Sequence, residues 1–353
     1  MSIDSLELSR RKRQGLRIAL AVACGLSVGM LMGETLPFFA PLIAIQLLFA
    51  SRSPLGLRQG LATILLVVGV GALLVLLTDL FGEEPEVLVP SLWLCYFGCF
   101  WAQGQGKGGA APSLILIIAI VVPMLDIQQR DLGDSIALIL ARGISGGILL
   151  TWAAHALLPD RPADTSSAQP PAPRPALRHV TRQALASATI LLLIVTFCLV
   201  DPRLATAMVI PITVSSLLSQ LESTMTQRAA LALLVVNLLG GIVASLACTL
   251  VQLRPTLWLL FLTALLVGLL FAGRAVSHAT AGKLFAGGLT TFLILFGLGI
   301  SPLPASSPEL FSTRMAYVLF AVIYALFMTL LLWPGPRREY AGPSADDVHL
   351  RAP

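Results

Sequence analysis

Long runs of Leu, Ile, Val and Ala recur along the chain, broken by short stretches of Pro, Gly and charge. Twelve runs can be delimited: 16–33, 36–50, 61–80, 87–103, 112–125, 136–158, 183–200, 204–219, 229–250, 256–272, 283–300 and 315–333. Within each the apolar positions are continuous and do not alternate, which predicts helices and excludes the strands of an outer-membrane barrel. A membrane-spanning helix uses about twenty residues, so several of these runs are shorter than a full crossing. Pro37 and Pro41 open the second run and Pro211 falls within the eighth, so kinked or tilted helices are expected there. The expected fold is an all-α polytopic membrane protein of about twelve transmembrane helices.

Between the sixth and seventh runs, Pro159 to Leu177 is rich in Pro, Ala, Ser and charge and reads as a flexible linker. The chain then divides into a basic N-terminus (1–15), a six-helix repeat (16–158), the linker (159–182), a second six-helix repeat (183–333) and a tail (334–353). The two halves also match in spacing. An offset of 170 carries Pro41 to Pro211, Ser53 to Ser223, Arg58 to Arg228, Leu61 to Leu231, Gly71 to Gly241 and Ala102 to Ala272. Arg142 and Arg314 open the last helix of each half at nearly the same offset. Six spans per half is an even number, so the repeats run parallel, related by a pseudo-twofold axis along the membrane normal. Transporters built this way place their pathway between the halves.

Charge settles the orientation. Only 12% of residues are charged, against about a quarter in soluble domains, and mean hydropathy is +0.87. That excludes a large soluble catalytic domain. The net charge of +5 does not indicate nucleic acid, because the basic residues sit at helix ends and form no continuous face. With the N-terminus cytoplasmic, the external segments hold only Arg130, Arg203, Arg254 and Arg314 of the 23 Lys and Arg, and Arg142 falls within a span. The external loops instead carry Glu34, Asp79, Glu83, Glu84, Glu86, Asp126, Asp131, Asp134, Asp201 and Glu309. Both termini are therefore expected in the cytoplasm, with Arg10, Arg11, Lys12, Arg13 and Arg17 anchoring the first span. The five cysteines lie within apolar runs and imply neither a disulfide framework nor a metal set.

An ionisable group inside a span costs roughly 2.5–3.5 kcal/mol. Arg142 either pairs with Asp134 or Asp131 near the outer interface or supplies a fixed positive charge for an anionic substrate, and Arg314 is its repeat mate. Arg52 and Glu222 occupy equivalent loop positions with opposite charge, so they either pair across the axis as a gate or lie solvated. Arg58 and Arg228 anchor helix starts or contact a substrate at the inner mouth. Gln46 and Asn237 are amides in apolar helices, open to helix–helix bonding or to substrate contact. His155 and His278 read as interfacial histidines, with a proton relay as the alternative. Trp93, Phe97 and Phe100 share one face of the fourth helix: an aromatic belt or a route for a flat apolar substrate. Asp126, Asp131 and Asp134 form an acidic cluster on an external loop. The glycines around Lys107 do not satisfy GxxxxGK[ST], and HExxH, GxSxG and paired aspartate-rich motifs are missing. An enzyme is not expected, no cofactor or metal is called for, and pumping would draw on an ion gradient or a partner.

The segment LPFFAPLIAIQLLFASRSPLGLRQGLATILLVVGVGAL, its second-half counterpart IPITVSSLLSQLESTMTQRAALALLVVNLLGGIVASL and the RGISGG start of helix six resemble the fusaric-acid-resistance-like family of bacterial inner-membrane exporters. That family includes the aromatic carboxylic acid efflux pumps. The resemblance implies export of aromatic or other organic acids, often with a periplasmic adaptor of the membrane-fusion type. It also implies a compact variant, because many members carry a sizeable cytoplasmic domain and this chain has only its short linker. On this reading the protein is a proton-driven secondary exporter of hydrophobic organic anions. Arg142 and Arg314 attract the carboxylate, Trp93, Phe97 and Phe100 receive the ring, and Asp134, Asp201 or Glu222 takes the proton. A passive anion channel and a non-transporting scaffold of an envelope assembly remain as rivals, and assembly with further copies of the chain stays open.

Overall fold

The computed structural model describes residues 3–50, 56–82, 84–128, 133–159, 177–200, 208–220, 227–277, 279–301 and 311–332. Among them are twelve helices: α1 (Ile3–Leu31), α2 (Phe39–Ala50), α3 (Leu57–Phe81), α4 (Pro85–Gly104), α5 (Ala111–Gln128), α6 (Gly133–Leu157), α7 (Leu177–Val200), α8 (Val209–Gln220), α9 (Gln227–Leu253), α10 (Leu257–Ser277), α11 (Ala279–Ile300) and α12 (Phe311–Leu332). Each corresponds to one apolar run. Eight of them are long and apolar enough to cross a membrane. Leu61, Leu65, Leu73 and Leu80 on α3 and Leu262, Leu266 and Leu270 on α10 lie on the surface. A leucine-covered exterior with its backbone bonds satisfied inside helices suits lipid and not water. The chain is a multi-pass membrane protein.

The duplication is visible in the packing. Adding six to each helix number turns one set of neighbours into the other: α2–α6 becomes α8–α12, α3–α5 becomes α9–α11, α4–α5 becomes α10–α11, and α1–α6 becomes α7–α12. The halves are interlocked as well. α1 packs on α10 and its mate α7 packs on α4, while α2 meets α11 and α8 meets α5. The four helices α2, α5, α8 and α11 are the most enclosed, with Ile117 to Leu125 and Leu289 to Phe296 buried almost without interruption.

Small residues let the helices approach. Gly268 faces Ala19 and Gly15 faces Gly273 along the antiparallel α1–α10 seam. On α6, Gly143 and Gly147 are four residues apart and seat Phe39 and Ile43 of α2. A Cβ on Gly147 would lie 2.6 Å from Ile43 Cβ and 2.8 Å from the Ala40 carbonyl. The RGISGG segment therefore has a packing role. The basic N-terminal segment has one too, for it continues the helix. Arg17 is 1% exposed and donates from Nε (2.9 Å) and from a terminal nitrogen to the Leu158 carbonyl, at the end of α6. Gln14 Nε2 donates to the Leu48 carbonyl at the end of α2, at 2.7 Å.

Pro211 does not interrupt a helix, because α8 starts at Val209 and Pro211 is its third residue. In the first turn the missing N–H has no helical partner to lose, so no kink follows. Pro41 holds the same place in α2.

Candidate functional site

Helices α2 and α8 are equivalent under the offset of 170, and each has 12 residues. At 1.5 Å per residue such a helix covers about 18 Å, well short of the roughly 30 Å of bilayer hydrocarbon. Both carry a proline in the first turn, and both are buried on nearly every face. They lie at the junction of the repeats, α2 against α11 and α8 against α5. A pair of short, proline-bearing helices in corresponding positions of two membrane repeats is the arrangement that marks a substrate site in secondary transporters.

The chemistry of this layer differs between the halves. On α2 the equivalents of Thr213, Ser215 and Gln220 are Ile43, Ile45 and Ala50, and on α5 the equivalents of Thr290 and Thr291 are Ile120 and Val121. Gln46, half-buried on α2, is the mate of Ser216. Gln220 Nε2 donates to Ser216 Oγ at 2.9 Å. Its Oε1 is buried without a hydrogen-bond partner, and so is Thr213 Oγ1. Gln220 fills a slot left open by Gly287 on α11, where a Cβ would lie 2.0 Å from Oε1.

Asn237 joins α9 to α11. It is fully buried, donates from Nδ2 to the Leu233 carbonyl at 2.8 Å, and accepts from Thr291 Oγ1 at 2.6 Å. Helix–helix bonding thus occupies the side chain. Asn237→Leu and Thr291→Val are each expected to lower stability, and the double-mutant cycle to return a coupling of about 0.6–1.7 kcal/mol, the range of interhelical bonds in membranes. Additive losses in detergent unfolding would show that the bond carries no coupling energy.

At the opposite end from Arg17, the turn between α1 and α2 carries Glu34, after Gly33 in the left-handed region (φ 66°). The turn is tied to the end of α11 by Ser301 Oγ, which donates to the Thr35 carbonyl at 2.5 Å. Partial burial pushes the Glu34 carboxyl above its ordinary range, and the Arg142 guanidinium pulls it down by a smaller amount. Arg142 is exposed on α6, one residue before Gly143, which abuts Phe39. Its acidic neighbour among the described residues is therefore Glu34, from a different helix pair. Because the folded environment shifts Glu34 toward its protonated form, this carboxyl favours folding most at low pH. The benefit fades as pH rises from the usual 4.5 through the raised value. Glu34→Gln is expected to flatten that decline in melting temperature, and Arg142→Ala to move it to higher pH. Parallel melting curves for all three proteins would refute the coupling.

The aromatic face of α4 lies elsewhere. Trp93 stacks on Phe97 with centroids 5.7 Å apart and donates its indole N–H to Thr189 Oγ1 on α7 at 3.2 Å, while Phe100 is buried. α4 packs on α7, α5 and α3, whereas Arg142 is on α6, beside α2, α3 and α1. Asp126 is not in an external loop, as the sequence had placed it, but within α5, and it is buried. His155 is buried too, with Nδ1 2.9 Å from the Thr151 carbonyl. Arg58 is exposed in the first turn of α3, and Arg228 takes the same place in α9. The side chains of Asp134, Arg228 and Arg314 lie outside the described residues, as do Arg52, Asp201, Glu222 and His278 entirely. Among the described residues no group of three or more His, Cys, Asp or Glu is placed to hold a metal.

Residues 14–153, from within α1 to most of the way along α6, match a family model described as "Protein of unknown function (DUF2955)". No curated protein and no solved structure matches the chain.

Proposed function

We propose that this protein is a secondary exporter of hydrophobic, aromatic organic acids in a bacterial inner membrane, with both termini cytoplasmic. The observation that carries the reading is the pair α2 and α8, short, proline-bearing and buried where two parallel repeats interlock. The orientation rests on charge, since Arg10 to Arg17, Arg58, Lys107, Arg178 and Arg182 lie at alternate helix ends along the chain and Glu34, Glu84, Glu86 and Asp126 at the intervening ones. The aromatic-acid class rests on the resemblance to the fusaric-acid-resistance-like exporters, and so does the periplasmic adaptor. Arg142 and its repeat mate Arg314 supply positive charge toward the outer side for the departing carboxylate. Glu34, with its raised carboxyl beside Arg142, joins Asp134, Asp201 and Glu222 as a carrier of the coupling proton.

Inverted vesicles containing the purified protein, offered labelled aromatic acids with and without an imposed pH gradient, test the reading. Accumulation that depends on the gradient is the expected result. Equilibration without accumulation would make the protein a channel, and no flux from correctly inserted protein would remove the transport role.

A further inference from the structure

The two repeats share a backbone plan but not a core. Thr213, Gln220, Asn237, Thr290 and Thr291 stand where the first half has Ile43, Ala50, Val67, Ile120 and Val121. Polar side chains within a bilayer are costly and mark function by default. These five stand in the second half at positions where the first half is apolar, although the first half buries Thr78, Asp126, Thr151 and His155 elsewhere. Asn237 and Thr291 spend their polarity on each other, and Thr290 bonds to its own helix at Ala286. Thr213 and Gln220 are different.

Buried Thr78, Thr151 and Thr290 each return the hydroxyl to the carbonyl four residues earlier. Thr213, 0% exposed, does not, and its Oγ1 has no partner. An unpaired hydroxyl in such a place is destabilising relative to a paired one. Seven residues on, and so on the same face of α8 about 10 Å along its axis, Gln220 Oε1 is likewise buried without a partner. The Gln220 amide packs against Gly287 of α11, where any side chain would displace it. Ser216, between the two, already engages Gln220 Nε2, so the oxygen is the end left to act. An amide carbonyl accepts hydrogen bonds only, and a hydroxyl accepts or donates. Together they recognise a neutral donor group and offer nothing to a carboxylate that an arginine does not offer better.

We propose that Thr213 and Gln220 are specificity-determining residues for the transported solute. They line a polar station on the α8 side alone, selecting aromatic acids whose ring bears a hydrogen-bond donor over acids that lack one. This rests on the exporter reading above for its solute class, but it concerns binding and can be tested without flux.

The test uses the full chain in lipid nanodiscs and calorimetric titration with 4-aminobenzoate and with benzoate. The wild type is expected to bind 4-aminobenzoate about fivefold more tightly, the worth of one neutral hydrogen bond. Thr213→Val and Gln220→Met should each bring that ratio toward one while leaving benzoate affinity within about twofold. Thr151→Val, which removes a hydroxyl already bonded to Gly147, should keep the preference. Thr213→Val deletes an unpaired polar atom from an apolar core, so its melting temperature should match or exceed that of the wild type, and a folding failure does not cloud the result. Equal wild-type affinity for the two acids, a preference that survives both substitutions, or no binding of either acid overturns the proposal. Proteoliposome flux separates the two readings. Preferential binding without flux would sink the exporter and leave the station, and flux without preference would do the reverse.

Discussion

Gly240→Val is expected to leave no stably folded protein in mild detergent, while Gly98→Ala leaves the melting temperature unchanged or higher. At Gly240 an added Cβ would lie 2.3 Å from the Gly288 carbonyl oxygen and 3.2 Å from Gly288 Cα. Every one of those neighbours is backbone, so no rotamer change relieves the clash and α9 must separate from α11. Gly288 is equally enclosed, with a Cβ there 2.9 Å from the Val236 carbonyl. Separation would also stretch the Asn237–Thr291 bond one turn away. Overpacking costs about 1–3 kcal/mol where side chains can yield, and more is expected here. Alanine at 240 should fall between valine and glycine. The repeat offers an internal comparison. Gly71 on α3, the mate of Gly241, would place its Cβ 3.0 Å from the Leu140 Cδ1 methyl, which can swing aside, so Gly71→Ala should be mild. Gly98 is helical with open space around it, and alanine there gains up to about 1 kcal/mol of helix propensity. Size-exclusion profiles and melting curves decide the matter: a monodisperse Gly240→Val protein with wild-type melting would refute the close approach.

The spans were legible because apolar length is a strong signal, and the repeat because residues of equal spacing sit in equivalent places. Pro41 and Pro211 illustrate both the reach and the limit. Their offset located the two short helices, yet the apolar stretch before Pro211 made the proline look internal when hydropathy alone was followed. Asp126 shows the converse: a charge looks like the end of an apolar run, yet the helix continues past it to Gln128. The electrostatic influence of Arg142 on Glu34 links residues from different helix pairs, and no local pattern reports it. The polarity of Thr213 and Gln220 was readable. Laying the halves over one another shows it at once, because isoleucine and alanine are the residues replaced. Its meaning required knowing that neither oxygen is bonded.

Arg17→Leu is expected to destabilise the protein by about 2–3 kcal/mol, the scale of a lost charged hydrogen bond in a buried place, although charge patterning alone assigns Arg17 to a membrane-surface anchor. Four neighbouring basic residues would preserve the orientation signal in such a variant, so an anchor role predicts almost no change. The structure predicts otherwise. Arg17 is enclosed where α1, α6 and α2 converge, and its guanidinium meets the Leu158 carbonyl through two nitrogens. The last carbonyls of a helix have no partner within it, and a cation there also faces the negative end of the helix dipole. Leucine would fill the volume and leave the carbonyl unpaired. Lysine would restore the charge without the two-pronged contact and should recover only part of the loss. Hydrogen exchange localises the effect: the amides of Ala154 to Leu158 should lose protection in Arg17→Leu, while those of α12, the repeat mate of α6, keep theirs. That contrast follows from the sequence, since the equivalent of Arg17 in the second half is Ser187, which is too short to cap a neighbouring helix in the same way. Uniform loss of protection in both helices would place the role of Arg17 in global folding and not at the end of α6.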